Sequence, residues 1–328
     1  MSNAAQLDRR AVRGRAVRVG DLAIGDGMPV AVIGGQDARW LSLRGHHGGI
    51  PADEVICRAR AGWDGPLLVE PFSAADLDAI ARHADGVVVG AAWMQDFALV
   101  RAVARLGLPV IVQRGRAATL EEWLAIVDYC VAEGNDLVVL CESGSRTPLE
   151  GVPLDLTLMR AARERSGRPV IASIGGGDGG ADDGVLAAAA VAAGADGLLL
   201  DPGAPPAVVI AAHEAATVLA PLVRPEAPAT LAEARAAIDR VDAALATLLE
   251  RRVALAGTIQ RLKPVGGFQG RDMERERRLV AAMACRAPRL GEERLAPVMN
   301  AVIEAGLRLA EAERGDARLR SHGSPDHA

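Results

Sequence analysis

The chain has 328 residues, room for two domains, and half of them are apolar while only 2% are aromatic. Ala, Val and Leu must therefore build the core, which suits close-packed helices and parallel strands rather than a β-sandwich. A net charge of −5 and a pI near 5.8 argue against a nucleic-acid binder, which carries a basic excess.

The N-terminus runs from Met1 into Asp8, Arg9, Arg10, Arg13 and Arg15 without an apolar segment, so no signal peptide is expected. No uncharged run is long enough to span a bilayer, and no membrane partner is expected. Cys57, Cys130, Cys141 and Cys285 are scattered, with no CxxC pair. Reduced thiols in a cytoplasmic protein are the expectation, without structural zinc or any other cofactor.

Val17–Ile24 reads as a small hairpin. Short apolar runs follow at Pro29–Ile33, Pro66–Val69, Gly86–Val89, Pro109–Val112, Leu137–Leu140, Pro169–Ala172 and Gly197–Leu200, with a further candidate at Trp40–Leu43. Each is as long as a buried parallel strand. Helical stretches such as Ala74–His83, Leu120–Glu133 and Asp155–Ser166 separate them. The alternation predicts an α/β fold, a (β/α)8 barrel ahead of a doubly wound sheet. A Pro- and Ala-rich stretch then places a domain border near Arg224–Pro228: a barrel over 1–224, a helical module over 225–314, and a disordered tail over 315–328.

Past the border the pattern is purely helical. Ile238, Val241, Leu245, Leu248, Leu255, Ile259 and Leu262 recur every three to four residues within Leu231–Lys263, with Thr230 as N-cap and Pro264 as stop. A helix of that length, about 50 Å, needs a partner to cover its apolar side. Further helices are predicted over Asp272–Cys285 and Glu292–Arg314.

Arg235-x6-Asp242, Leu248-Leu249-Glu250-Arg251-Arg252, Lys263 and Arg271-Asp272-Met273-Glu274-Arg275-Glu276-Arg277 together resemble the all-helical chorismate mutase family, in register over the whole module. The resemblance implies an intertwined homodimer acting on chorismate, a dianion that rearranges to prephenate through a pericyclic chair. That reaction calls for no proton transfer, nucleophile or metal. It calls for fixed cations that hold two carboxylates and stabilise charge growing on the ether oxygen. Arg forks suit carboxylates, and Lys suits a single oxygen. By resemblance, Arg252 and the partner's Arg235 bind one carboxylate and Arg275 assists. Lys263 donates to the ether oxygen, and Glu276 takes the hydroxyl with Asp272 nearby. Helix geometry agrees. Arg252 and Lys263 are eleven residues apart and share a face, whereas Arg235 lies about 25 Å away along the axis and serves only an antiparallel partner. One departure stands out: Ala310 occupies the position where the family has Gln or Glu, with Glu311 about 100° round the helix. A slow mutase, or one remoulded by a partner, is the expectation. Arg277 and Arg278 read as solvated i,i+4-type pairs.

In the first domain, Val17-Arg18-Val19-Gly20-Asp21, Gly90-Ala91-x-x-Met94-Gln95-x-Phe97, Arg114-Gly115-x-Ala117-Ala118-Thr119-x-Glu121-Glu122-Trp123, Glu133-Gly134-Asn135, Leu140-Cys141-Glu142 and Ala193-Gly194-Ala195-Asp196-Gly197 resemble the DAHP synthase family, a metal-dependent class that includes members fused to a mutase. The chemistry does not carry over. The family's metal-binding Cys, His and Glu fall on Gln36, Gly176 and Asp201, and its GAR, KRG and CERG motifs read Gly90-Ala91-Ala92, Gln113-Arg114-Gly115 and Cys141-Glu142-Ser143-Gly144. The KPRTSP segment is missing, and the connection from Gln36 to Pro66 is too short for the usual helix and strand. Losing this many ligands and cations predicts a pseudoenzyme barrel. Gly175–Gly180 reads as a mobile loop whose Asp178, Asp182 and Asp183 repel an anion, and His46-His47 as a surface loop.

Three alternatives to the mutase stay open: a regulatory sensor with both modules inactive, action on isochorismate or 4-amino-4-deoxychorismate, and an active DAHP synthase.

Overall fold

The computed structural model describes residues 16–45, 49–146, 153–175, 182–263 and 268–322. His46-His47 and Gly176–Gly180 lie outside them. The chain forms two compact units, 1–244 and 245–328.

The first unit opens with a hairpin of β1 (Val17–Val19) and β2 (Leu22–Ile24). Then come β3 (Ala31–Ile33), β4 (Arg39–Ser42), α1 (Ala52–Arg60), β5 (Leu67–Glu70), α2 (Leu77–His83), β6 (Gly86–Val89), α3 (Phe97–Ala104) and β7 (Val110–Gln113). They are followed by α4 (Leu120–Ala132), β8 (Val138–Glu142), α5 (Leu156–Ser166), β9 (Val170–Ile174), α6 (Asp182–Ala192), β10 (Gly197–Leu200) and α7 (Pro206–Glu214). A π-helical turn leads from α7 into α8 (Ala220–Val223). The eight strands β3–β10 form one parallel sheet in the order β3-β10-β9-β8-β7-β6-β5-β4. The barrel reading holds, and the doubly wound alternative does not.

Closure is incomplete for a definable reason. Parallel neighbours need a crossover of a dozen residues or more. Only Gly34–Ala38 separates β3 from β4, so the two meet through a single bridge, Ile33 to Ala38. The connection from Gln36 to Pro66 holds β4 and α1, while no helix sits between β3 and β4.

The period of two along each strand divides the core. Leu67, Val69, Val87, Val89, Val110, Val112, Leu198 and Leu200 face the helices. Leu68, Val88, Ile111, Cys141, Ile171 and Leu199 fill the barrel, closed at one end by Val17, Val19 and Ile24 of the hairpin. Local chemistry starts the helices: Asp96 and Asp155 cap α3 and α5, and Thr119 with Glu122 forms a capping box on α4. Pro206–Val223 is helical and apolar enough to cross a membrane by length and composition. It includes Glu214, and its Val208, Ala212, Ala215 and Ala220 belong to the barrel's outer core.

The long helix α9 (Leu231–Leu262) begins as predicted, with Glu233 N–H on Thr230 Oγ1. In the second unit come α10 (Met273–Ala284) and α11 (Gly291–His322). The sequence reading ended the third helix at Arg314 and began a tail at Gly315; α11 runs through Gly315 to His322.

Asp196 ties the barrel wall together. It is fully buried, accepts from Val170 N–H (2.9 Å), and pairs with Arg163 (2.9 Å) and Arg224 (2.5 Å). Removing one partner of such a buried cluster leaves uncompensated charge, at a cost of about 3–5 kcal/mol. Asp196→Ala is expected to lower unfolding free energy in urea by about 3 kcal/mol; an unchanged midpoint and slope refutes this role.

Candidate functional site

The inward-facing row at the carboxyl ends of the strands lines a cavity of about 910 Å³. Ser42, Glu70, Gln113, Ser143, Ser173 and Asp201 line it, with Arg44, Arg116 and Arg146 supplied by loops. Glu70 accepts from Ser42 Oγ (2.5 Å) and lies 3.8 Å from Arg44. Gly90 leaves room for this carboxylate, since a Cβ there would collide with Glu70 Oε1. Burial raises the Glu70 carboxyl above the ordinary range, opposed by the Ser42 hydrogen bond and Arg44. Burial likewise raises Asp201, opposed by Ser173 and Arg116.

Two residues of the matched motifs do not reach this cavity. Gln113 and Ser143 face in, so by alternation Arg114 and Glu142 face out. There the two form a buried bidentate pair, with Nε–Oε2 at 2.6 Å and Nη2–Oε1 at 2.8 Å. Arg114 also donates to the carbonyls of Gly115, Ala118 and Gly144 and to Ser145 Oγ. Glu142 accepts from the N–H of Gly144 and of Asp155. Burial works against the guanidinium charge, but the Glu142 hydrogen bonds and charge outweigh it and raise Arg114 above its usual value. The rest of that motif is equally architectural: Met94 Sδ accepts from Gly115 N–H, and the fully buried Trp123 donates to Val112 O. Asn135 bridges Ala104 O, Leu108 O and Leu137 N–H.

The mouth does not fit the divalent metal that the fold family implies. Among the described residues lining it, the carboxylates are Glu70, Glu122 and Asp201, with no thiol or imidazole. Gln36 lines a different cavity, beside β3 and His213, and Gly176 lies outside the described residues.

In the second unit, cations gather where α9, α10 and α11 meet. Arg252 is half-buried and donates to Val302 O (3.4 Å). Burial first, then the Arg275 guanidinium, lowers Arg252 below its ordinary value, with Glu276 opposing. The charges of Arg275 and Glu276 therefore both act on Arg252. Lys263 is exposed, and its Nζ donates to Gly270 O (2.8 Å). Asp272 caps α10, accepting from Arg275 N–H (2.9 Å). Glu276 is held bidentately by Arg271 (2.9 and 2.8 Å), which also reaches Asn300 (2.5 Å) and Glu304 (3.6 Å) on α11. The sequence marks Arg271 only by its place beside the Asp272 cap, five residues before Glu276. Arg235 is exposed on the first-unit portion of α9. Arg277 and Arg278 share Glu274 at the surface (3.5 and 3.4 Å). Ala310 is buried, and Glu311 accepts from Phe268 N–H (3.3 Å).

An eight-stranded parallel barrel with its polar residues at the strand ends, followed by an all-helical module, defines an enzyme-type (β/α)8 domain with a fused helical domain. The chain belongs to the DAHP synthetase I family, whose model matches residues 42–207, and residues 234–311 match chorismate mutase type II. Over 107 residues it is 31% identical to the phospho-2-dehydro-3-deoxyheptonate aldolase of Thermotoga maritima, a stretch covering 32% of each chain. The crystal structure of the Thermotoga maritima DAHP synthase superposes with a TM-score of 0.53 at 24% identity, over 57% of this chain and 63% of that one. A truncated form of the Thermotoga maritima synthase gives 0.48 at 24% identity, over 57% and 79%. The first of these structures shows the shared fold. The chain thus spans about a third of the curated relative it matches and less than two thirds of that solved synthase.

The raised Glu70 carboxyl has a sign that can be tested. A carboxyl whose folded value lies above its unfolded one supports the fold at low pH and loses that contribution as pH rises through the folded value. Glu70→Gln is therefore expected to stabilise the protein at pH 7, with the gain vanishing below the ordinary glutamate value of 4.5. Denaturant midpoints from pH 4 to 8 check this, and a gain independent of pH counts against it.

Proposed function

We propose that this chain is a chorismate mutase, converting chorismate to prephenate, and that its barrel is a catalytically silent scaffold or regulator. The observation carrying the reading is the Arg252–Arg275 pair. The charges of Arg275 and Glu276 both act on Arg252, and Glu276 is already bound by Arg271. Neighbouring like charges suit an anionic ligand, and Arg forks suit carboxylates.

In this reading Arg252 and Arg275 hold the substrate's carboxylates in one folded conformer, joined by Arg235 of a second copy. Lys263 leaves Gly270 O and donates to the ether oxygen as its bond to carbon breaks. Glu276, fixed by Arg271, receives the substrate hydroxyl, and Asp272 sets the start of α10. Placement and charge stabilisation supply the acceleration.

A homodimer is part of this proposal. Ile238, Val241, Leu245, Leu248, Leu255, Ile259 and Leu262, the row expected to need a partner, are all exposed on the single chain. A continuous apolar row on a long helix favours an antiparallel copy of itself. The border at 224/225 belongs to the same reading, with the whole of α9 assigned to the mutase module.

The silent barrel rests on the donor set of the mouth, where the carboxylates Glu70, Glu122 and Asp201 are joined by no thiol or imidazole among the described residues. The protein is proposed to bind neither nucleic acid nor membranes and to work in the cytoplasm. A sensor that binds chorismate without turnover is the second reading, favoured by the buried Ala310 and by Glu311 being held by Phe268 N–H.

Purified full-length protein should deplete chorismate absorbance above the buffer rate, without added metal. Lys263→Ala should lose about 100-fold in turnover, and intact turnover in that variant refutes the site. Mixing inactive Arg235→Ala and Lys263→Ala proteins should restore about a quarter of wild-type activity if sites are shared across a two-fold dimer; no recovery means they are not. Phosphoenolpyruvate should not be consumed with erythrose 4-phosphate and a divalent metal, and consumption would show a working barrel.

A further inference from the structure

The outer surface of the barrel carries a cluster separate from both sites above. Asp53 and Cys57 are four residues apart on α1, so their side chains rise from one face. His83 ends α2, which packs against α1. His83 Nε2 lies 3.0 Å from Asp53 Oδ1 and 3.7 Å from Cys57 Sγ, and one ligand atom from each residue falls within 4.8 Å of the others.

These separations suit a metal better than a proton relay. In a relay the imidazole uses its two nitrogens for two partners. Here the carboxylate meets Nε2, and the thiol, too, lies nearer Nε2 (3.7 Å) than Nδ1 (4.0 Å). Around a tetrahedral ion with ligand bonds of about 2.0–2.3 Å, ligand atoms sit roughly 3.3–3.8 Å apart. The Cys57–His83 separation of 3.7 Å falls in that range, and the Asp53–His83 separation of 3.0 Å is a little shorter.

The frame is held independently of the cluster. Arg60, at the end of α1, donates to His83 O (3.1 Å) and Gly65 O (2.8 Å) and pairs with Asp85 (2.6 Å). Asp85 in turn accepts from Leu67 N–H of β5 (2.8 Å). The backbone of His83 is thereby fixed to α1 and to the barrel wall. Cys57 is one of two exposed cysteines, whereas burial pushes the Cys130 thiol up to about 11 and Cys141 well above the usual range. Arg82 pairs with Asp53 Oδ1 (2.7 Å), and its side chain is 59% exposed. A cation thus already occupies the carboxylate, on an arm free to swing away.

We infer that Asp53, Cys57 and His83 form a binding site for a zinc-class divalent transition metal, with the fourth position open to water or a ligand. Thiolate and imidazole select zinc or cobalt over magnesium and calcium, which take oxygen. Binding displaces the Cys57 thiol proton and the Arg82 guanidinium, and three protein ligands leave one position for exchange. No cysteine motif announces this site, because its ligands come from two helices separated by a strand.

The test uses chelator-treated full-length protein titrated with Co²⁺ and followed by absorbance. One equivalent should bind with a thiolate-to-cobalt charge-transfer band, and Zn²⁺ should displace it. Cys57→Ser should abolish the band while Cys285→Ser leaves it. His83→Gln and Asp53→Asn should each weaken binding at least tenfold. Arg82→Gln should tighten it, the opposite of what a purely structural ion pair predicts. Circular dichroism shows whether each variant is folded. Absence of the band in the wild type, or its persistence in Cys57→Ser, overturns the site.

Discussion

The Arg114–Glu142 pair is the contact on which the barrel mouth depends. Two full charges are buried there, where an uncompensated one would cost several kcal/mol. Their hydrogen bonds run to three loop carbonyls, one hydroxyl and two backbone N–H groups. The loops after β7 and β8 are thus fastened by charge rather than by regular structure. Several other residues that carry the family resemblance, Trp123, Asn135, Asp196 and the Thr119–Glu122 box, are likewise structural anchors.

The barrel wall and the Arg252 cluster treat charge differently. In the barrel, Arg114, Arg163 and Arg224 are neutralised by acids of the same chain. In the helical unit, Arg252 and Arg275 are left together, and the acid beside them is held by Arg271. The first arrangement stabilises a wall, and the second keeps charge available for something from outside. The proposal that places the chemistry in the helical unit draws on this contrast.

Much of the fold was legible because its signals are local. Continuous β-branched runs fell on the strands, and Thr119, Asp155, Thr230 and Asp272 sit at helix starts, where a side-chain oxygen satisfies free N–H groups. The connection from Gln36 to Pro66, expected to be too short for a helix and a strand, holds both β4 and α1; the missing helix lies before β4. That β3 and β4 meet directly, without a helix, depended on the whole sheet. The helical continuation past Gly315 was missed because a polar stretch gives no apolar period to read.

Site residues were legible only where they stand in register on one helix or in one motif. Arg252, Lys263, Arg275 and Glu276 are selected this way, and the charges of Arg275 and Glu276 act on Arg252. Glu70 and the Asp53–Cys57–His83 cluster carry no such signal, since their partners come from other elements. By itself the sequence determined the order of elements, the two-part organisation and the apolar row of α9, because each is written in neighbouring residues. Tertiary structure alone decided which charges are neutralised and which are left facing solvent. Inward or outward direction at a strand end, and the distance between separate helices, exist only once the barrel and the bundle have folded.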